Sequence, residues 1–266
     1  MQEYIHGKQT LTQLAARYQC SAKTIQRHIR QVAPPANTAQ KVWAANLIMD
    51  TTYFGRNFGV MVFLDSLSGQ VLHHQYVEHE TAALYQAGLR HILRQGISIQ
   101  SITADGFKGL PKLFPGVPFR LCRFHQQQTI RRYLTRKPKS AAAKELKALA
   151  DSLFQLSQAD FTRQLRQWHS RYRDYLNEKS YEEEGGARWW YTHKNLRSAY
   201  HSLNSGLPYL FTFERNREWM MPNTTNMLEG RFGELKVKIR CHAGMSVQTK
   251  KLFIDNFFRT KKGHLG

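Results

Sequence analysis

Apolar residues along this chain change their spacing twice, and each change marks a different kind of structure. Between residues 9 and 32 the spacing is helical. Leu11, Leu14 and Ala15 share one face of a first helix, roughly Thr10 to Tyr18. Gln19-Cys20-Ser21 makes a turn, and Ser21 is placed to cap a second helix, Ala22 to Val32, with Ile25 and Ile29 as its apolar positions. The small Ala15 permits a close helix crossing, so residues 1–33 are expected to hold a helix-turn-helix. Lys23, Thr24, Gln26, Arg27 and Arg30 are then expected to face outward, where such residues meet phosphates and base edges. Pro34 and Pro35 end the second helix, and 34–41 carries no large apolar residue. That segment reads as a linker.

From residue 42 the apolar runs become short and rich in β-branched and aromatic residues. Val42–Tyr53 predicts a buried strand with Asp50 near its end, Asn57–Leu64 a second strand and Gln70–Val77 a third. Asp65-Ser66-Leu67-Ser68-Gly69 joins the second to the third as a hairpin, which makes Asp65 a turn residue. Glu80–Arg94 predicts an amphipathic helix with Ala83, Leu84, Ala87, Leu89, Ile92 and Leu93 turned inward. Ile97, Ile99 and Ile102 predict a further strand that ends at Asp105-Gly106, and Pro118–Leu121 a short one that runs into Cys122-Arg123-Phe124-His125. The order is β-β-β-α-β. A carboxylate at the carboxyl end of a buried strand stands where open α/β sheets place their chemistry.

Strand signals then vanish, and 126–221 reads as an all-helical segment. Lys139–Leu156 and the series Phe161, Leu165, Trp168, Tyr172 and Tyr175 have helical spacing, and Trp189, Trp190, Leu196, Tyr200 and Leu203 predict a third helix. Trp189 and Trp190 are expected in the core, with stacking on unpaired bases as the competing reading. After Pro222, the capping residues Asn223, Thr224 and Thr225 predict a helix that carries Glu229 in its first or second turn and packs through Leu228, Phe232 and Leu235. Ser246 caps a last helix with Leu252, Phe253, Phe257 and Phe258, followed by a basic tail of Arg259, Lys261 and Lys262.

Composition narrows what this architecture is for. Against 19 Asp and Glu stand 39 Lys and Arg, a formal net charge of +20 spread along the chain. Such a charge fits a polyanionic partner, and nucleic acid is the usual one. Three cysteines make no disulfide framework, which fits a reducing cytoplasm. No signal peptide and no apolar run near the ~18 residues of a membrane span is present, so no membrane association is expected.

Asp50, Asp105 and Glu229 are the acids whose order and placement single them out. Clustered carboxylates repel one another, and their hard oxygens select Mg²⁺ or Mn²⁺ between them. Two such ions suit phosphodiester chemistry. The residues therefore point to a metal-dependent nuclease or phosphoryl transferase acting on DNA. Glu214, Glu218 and Glu234 are rivals to Glu229. Glu234 lies five positions further along the helix, on another face, and the other two precede Pro222 in a polar stretch. Cys122 and His125 with Cys241 and His242 give four possible zinc ligands, but adjacent Cys-His is poor chelating geometry and a structural zinc is not expected.

Met49-Asp50-Thr51-Thr52-Tyr53, Ala104-Asp105-Gly106 with Gly109-Leu110, Cys122-Arg123-Phe124-His125 and Thr225-Asn226-Met227-Leu228-Glu229-Gly230 resemble the successive motifs of DDE transposases. They are most similar to the Mutator-like group and its bacterial insertion-sequence relatives, over about Trp43 to Lys262. The resemblance implies an α/β RNase H-like core in two parts, 42–125 and 222–266, interrupted by an all-α insertion over 126–221. It implies catalytic and metal-holding roles for Asp50, Asp105 and Glu229, with two Mg²⁺ or Mn²⁺ ions as their complement. It places Cys122 and His125 close to the active site, with His125 at a scissile or flanking phosphate or bracing the site.

The implied substrates are double-stranded DNA carrying the element's terminal inverted repeats, and target DNA. Synapsis of two ends implies a homodimer or higher assembly on DNA, and the implied location is the bacterial cytoplasm, at the nucleoid. Two other readings of the residues stand beside this one. A catalytically decayed DNA-binding regulator needs the helix-turn-helix but not the three acids. A cellular RNase H-like nuclease keeps the acids but seldom carries a large helical insertion.

Overall fold

The computed structural model describes residues 1–32, 42–56, 58–106, 109–182, 188–242 and 244–259. The expected linker, and Lys261 and Lys262 of the basic tail, lie outside the described residues. Three helices, α1 (Gln2–Ile5), α2 (Leu11–Arg17) and α3 (Ala22–Gln31), precede the strands β1 (Ala44–Phe54), β2 (Phe58–Asp65) and β3 (Val71–Val77). Then come α4 (Ala82–Arg94), β4 (Ser98–Ala104), α5 (Leu110–Leu113), β5 (Phe119–Leu121) and α6 (Arg123–Leu134). The helical segment holds α7 (Ala141–Asp151), α8 (Gln158–Asn177), β6 (Lys179–Tyr181), β7 (Trp189–Tyr191), α9 (Lys194–Leu210) and α10 (Thr212–Arg215). The chain closes with α11 (Asn226–Arg240) and α12 (Val247–Arg259). No helix among the described residues is long and apolar enough to cross a membrane.

These elements form two compact units, Met1–Ser98 with Asn226–Gly266, and Ile99–Thr225. In the first unit β2 pairs antiparallel with both β1 and β3. Asp65 is the turn residue expected: its buried carboxylate accepts from the Asn46 and Ser68 amides, at 3.1 and 2.9 Å, and from the Ser68 hydroxyl. Strand alternation gives β1 two unlike faces. Met49 is level with Phe63, and that face carries α4, where Tyr85 lies edge-on to Phe63 and bonds Thr51. Ile48, Phe54, Val60, Val62 and Leu64 occupy the other face, in one core with Leu228, Phe232 and Leu235 of α11 and Phe253 and Ile254 of α12.

One expectation changes here. The inward face of α4 is Tyr85, Gly88, Leu89 and Ile92, whereas Ala83, Ala87 and Leu93 are exposed. The helix is rotated because Gly88, having no side chain, admits the Phe63 ring. The N-terminal helices also lack a core of their own. Tyr4, Ile5, Leu14 and Ile29 join the α11–α12 core, and Lys238 of α11 donates to the Ile5 and His6 carbonyls at 3.2 and 3.1 Å.

The second unit begins with β4 and β5 in parallel, Ile102 level with Phe119 and Ala104 with Leu121. Helix α9 packs on both β5 and α6, so these elements group with the helical segment and the compact unit starts well before 126. Leu146, Phe161, Leu165, Leu203, Leu210 and Phe211 are buried, and Trp168 Nε1 donates to the Ala142 carbonyl at 3.0 Å. The segment is not all-helical. β6 and β7 pair antiparallel, with Ser180 level with Trp190 and Tyr181 with Trp189. Trp189 and Trp190 are therefore strand residues, each 45% exposed, rather than the start of a core helix. Consecutive aromatics suit a pleated, half-buried surface, and the helical pattern begins only after His193.

Candidate active site

Asp50 is half-buried on β1. It stands level with Val62 and two positions from Ile48, so it shares the sheet face that α11 covers. Its Oδ1 accepts from the Thr51 amide at 2.8 Å. Glu229 lies in the first turn of α11, next to Leu228, which is fully buried in the same core as Ile48 and Val62. One sheet face and the helix packed on it thus carry Asp50 and Glu229. The first-turn position also suits a carboxylate, because helix N-terminal amides favour negative charge. Glu234, the rival on α11, lies 3.7 Å from the Lys238 ammonium, and Glu214 accepts from the Gln158 amide at the start of α8. Both are engaged in structural contacts.

In the second unit Asp105 follows directly on β4 and is half-buried. It lines a cleft of about 260 Å³ with His125 of α6. Gln126, Ser202, Ser205 and Tyr209 supply further polar groups, and Gly206 lets α9 approach, since a Cβ there would sit 3.1 Å from Leu121. The α9 residues Ser202, Ser205 and Tyr209 were not foreseeable as site residues, because only the packing of α9 on β5 and α6 brings them to Asp105.

Cys122 is fully buried at the end of β5, and its amide donates to the Ala104 carbonyl at 2.8 Å. The Thr225 hydroxyl donates to Cys122 Sγ at 3.5 Å and lies 3.3 Å from His125 Nδ1. Burial pushes the Cys122 thiol up, but the hydrogen bonds with His125 and Thr225 outweigh it and hold the group below the ordinary thiol value. Nearby, Arg120 is fully buried with its guanidinium 4.2 Å from the Phe213 ring, and Arg123 lies 4.4 Å from both Phe211 and Phe213. Burial lowers both guanidinium groups to about 10, and Arg123 adds to the effect on Arg120. His242 bonds the Tyr4 carbonyl at 2.8 Å and exposed Cys241 lies 3.4 Å from the Val237 carbonyl.

Among the described residues no three His, Cys, Asp or Glu side chains are gathered into a metal-holding group. Of the residues expected to face DNA, Lys23, Arg27 and Arg30 are exposed on α3, whereas Thr24 and Gln26 are half-buried. Thr24 is drawn into the helix cap, its amide donating to Ser21 Oγ at 3.0 Å.

No protein-family model matches the chain, and no characterised protein matches it in sequence. Among solved structures, the chain is similar in part to the simian T-cell lymphotropic virus intasome in complex with the PP2A regulatory subunit B56 gamma, at 11% identity and a TM-score of 0.26. The match covers 76% of this chain and 64% of that one. Likeness at this level carries no argument about fold or function.

Proposed function

We propose that this chain is a DDE-type DNA transposase, similar to the Mutator-like group and its bacterial insertion-sequence relatives, with an RNase H-like core and a helix-turn-helix at α2 and α3. The observation that carries the reading is the company Asp50 keeps. A strand acid and a helix acid far apart in sequence belong to one sheet face and its covering helix, and both lie in the motifs that carry the family resemblance. Asp105, at the end of β4 beside His125, supports it in the second unit.

Asp50, Asp105 and Glu229 would hold the divalent cations, since carboxylate oxygens suit Mg²⁺ or Mn²⁺. Such ions would supply activation of an attacking oxygen and charge stabilisation of a leaving one in phosphodiester chemistry. The chain's own groups bind and orient the DNA. His125 and the hydroxyls of Ser202, Ser205 and Tyr209 offer hydrogen bonds to phosphate or sugar oxygens in the cleft. Lys23, Arg27 and Arg30 place positive charge against the duplex backbone.

The test gives the purified chain a labelled duplex from the DNA flanking its own gene, with Mg²⁺ or Mn²⁺, beside Asp105→Asn. New 3′-OH ends at a fixed position, present only with metal and absent from the variant, are the expected result. DNA binding with no cleavage by either protein would instead favour a regulator, and cleavage without positional preference a cellular nuclease.

A further inference from the structure

The peptide that leads into α11 is tied down by side chains of the second unit. Thr103 Oγ1 on β4 donates to the Pro222 carbonyl at 3.3 Å, and Arg120 Nη1 on β5 donates to the Met221 carbonyl at 3.3 Å. Thr225, the last residue before α11, is fully buried between Cys122 Sγ and His125 Nδ1. Arg120 is an expensive anchor. Its Nε and Nη2 have no hydrogen-bond partner among the described residues, although a buried guanidinium must be taken out of water. Cysteine and histidine three positions apart, Cys122 and His125, sit at the N-cap and in the first turn of α6, hydrogen-bonded to each other, and the Thr225 hydroxyl meets both.

A hydroxyl has a single proton to give. Donated to Cys122 Sγ, it leaves the Thr225 oxygen as an acceptor, and His125 Nδ1 must then supply the proton that meets it. The other ring nitrogen, Nε2, is left unprotonated in the neutral ring. We propose that Thr225 is a positioning residue: its hydroxyl latches the peptide entering α11 to the Cys122–His125 corner and fixes His125 in its Nδ1–H form. The consequence for Glu229, one turn into α11, and for His125 in the cleft rests on the function proposed above. The latch itself does not.

The test uses the full chain with Thr225→Val, which keeps the shape and loses the hydroxyl, and Thr225→Ser, which restores it. In ¹⁵N-histidine spectra His125 should show the Nδ1–H pattern in the wild type and in Thr225→Ser, and lose it in Thr225→Val. Amide exchange over residues 223–229 should quicken at least tenfold in Thr225→Val alone, with α7 and α8 unchanged. DNA cleavage by Thr225→Val should fall about tenfold in kcat at constant KM, with recovery in Thr225→Ser. If Thr225→Val does not fold, His125→Asn, whose amide can still donate to the hydroxyl, should keep the exchange protection that His125→Ala loses. An unaltered tautomer and unaltered exchange in Thr225→Val would overturn the latch, as would faster exchange spread equally through α7 and α8. Tautomer and exchange results as expected, from a wild type that cleaves no DNA, would uphold the latch and remove the transposase reading.

Discussion

At Gly88 two opposing effects act on one atom. Alanine in a helix interior is worth about 1 kcal/mol over glycine. A Cβ at Gly88, however, would lie 2.2 Å from Phe63 Cζ and 2.4 Å from Cε2, and the ring is locked in a strand with no exposure. Overpacking of this kind costs about 1–3 kcal/mol, so Gly88→Ala is expected to destabilise the chain in urea titration, and Phe63→Leu in the same chain to recover part of the loss. Periodicity leaves this position illegible, because a glycine scores as neither core nor surface until the ring that fills its space is known. Asp65 is the contrary case, where a short Asp-Ser-Leu-Ser-Gly run was enough to read a turn.

His73 carries a pH dependence of known sign. Burial, with His91 and His74 nearby, lowers its imidazole from 6.5 to about 4, despite the bond to Gln75. Because the folded value lies below the unfolded one, the unfolded chain takes up the proton first as pH falls. The neutral ring's contribution is therefore complete above pH 6.5, declines between 6.5 and about 4, and is gone below. Stability curves of the wild type and His73→Gln should converge or cross over that interval and run parallel outside it. A constant difference across pH 4–7 would show that His73 titrates normally.

Among elements, α1 shows how little a short segment declares about itself. Four residues cannot support a helix alone. It holds because Tyr4 and Ile5 enter the core beside Phe253, and because the buried Lys238 ammonium and His242 ring bond the carbonyls of Tyr4, Ile5 and His6. Lys238→Met keeps the stem and leaves two carbonyls without their charged donor, a loss of about 2–4 kcal/mol. Hydrogen exchange should then quicken at residues 2–7 before the rest of the chain responds. Helices α2 and α3 were legible because their caps are local: Thr10 forms a capping box with Gln13, and Ser21 accepts from the Thr24 amide. The β6–β7 pair was not, since three-residue strands have no periodicity to detect and their stability comes from pairing.

For the molecule as a whole, net charge makes the first prediction on the proposed function. With +20 to neutralise, duplex binding should weaken steeply with salt, each phosphate contact adding roughly 0.9 to the slope of log K against log salt. Arg27→Ala should reduce that slope by about 1, measured by fluorescence anisotropy on a duplex. A slope near zero would mean that the charge serves something other than DNA.

The β-β-β-α-β order, the Ser21 and Ser246 caps, the Asp65 turn and the acids worth testing could be read from residues close together in the chain, because hydrogen-bond periodicity, capping and turn chemistry act over a few positions. The rest depended on long-range packing. Which face α4 buries was settled by Phe63, the partners of α1 by α11 and α12, and the walls of the Asp105 cleft by α9. Thr225 read as a cap until Cys122 and His125, a hundred residues earlier in the chain, were seen on its hydroxyl. Such contacts leave no local pattern, since their energy is realised only when distant segments share one buried space.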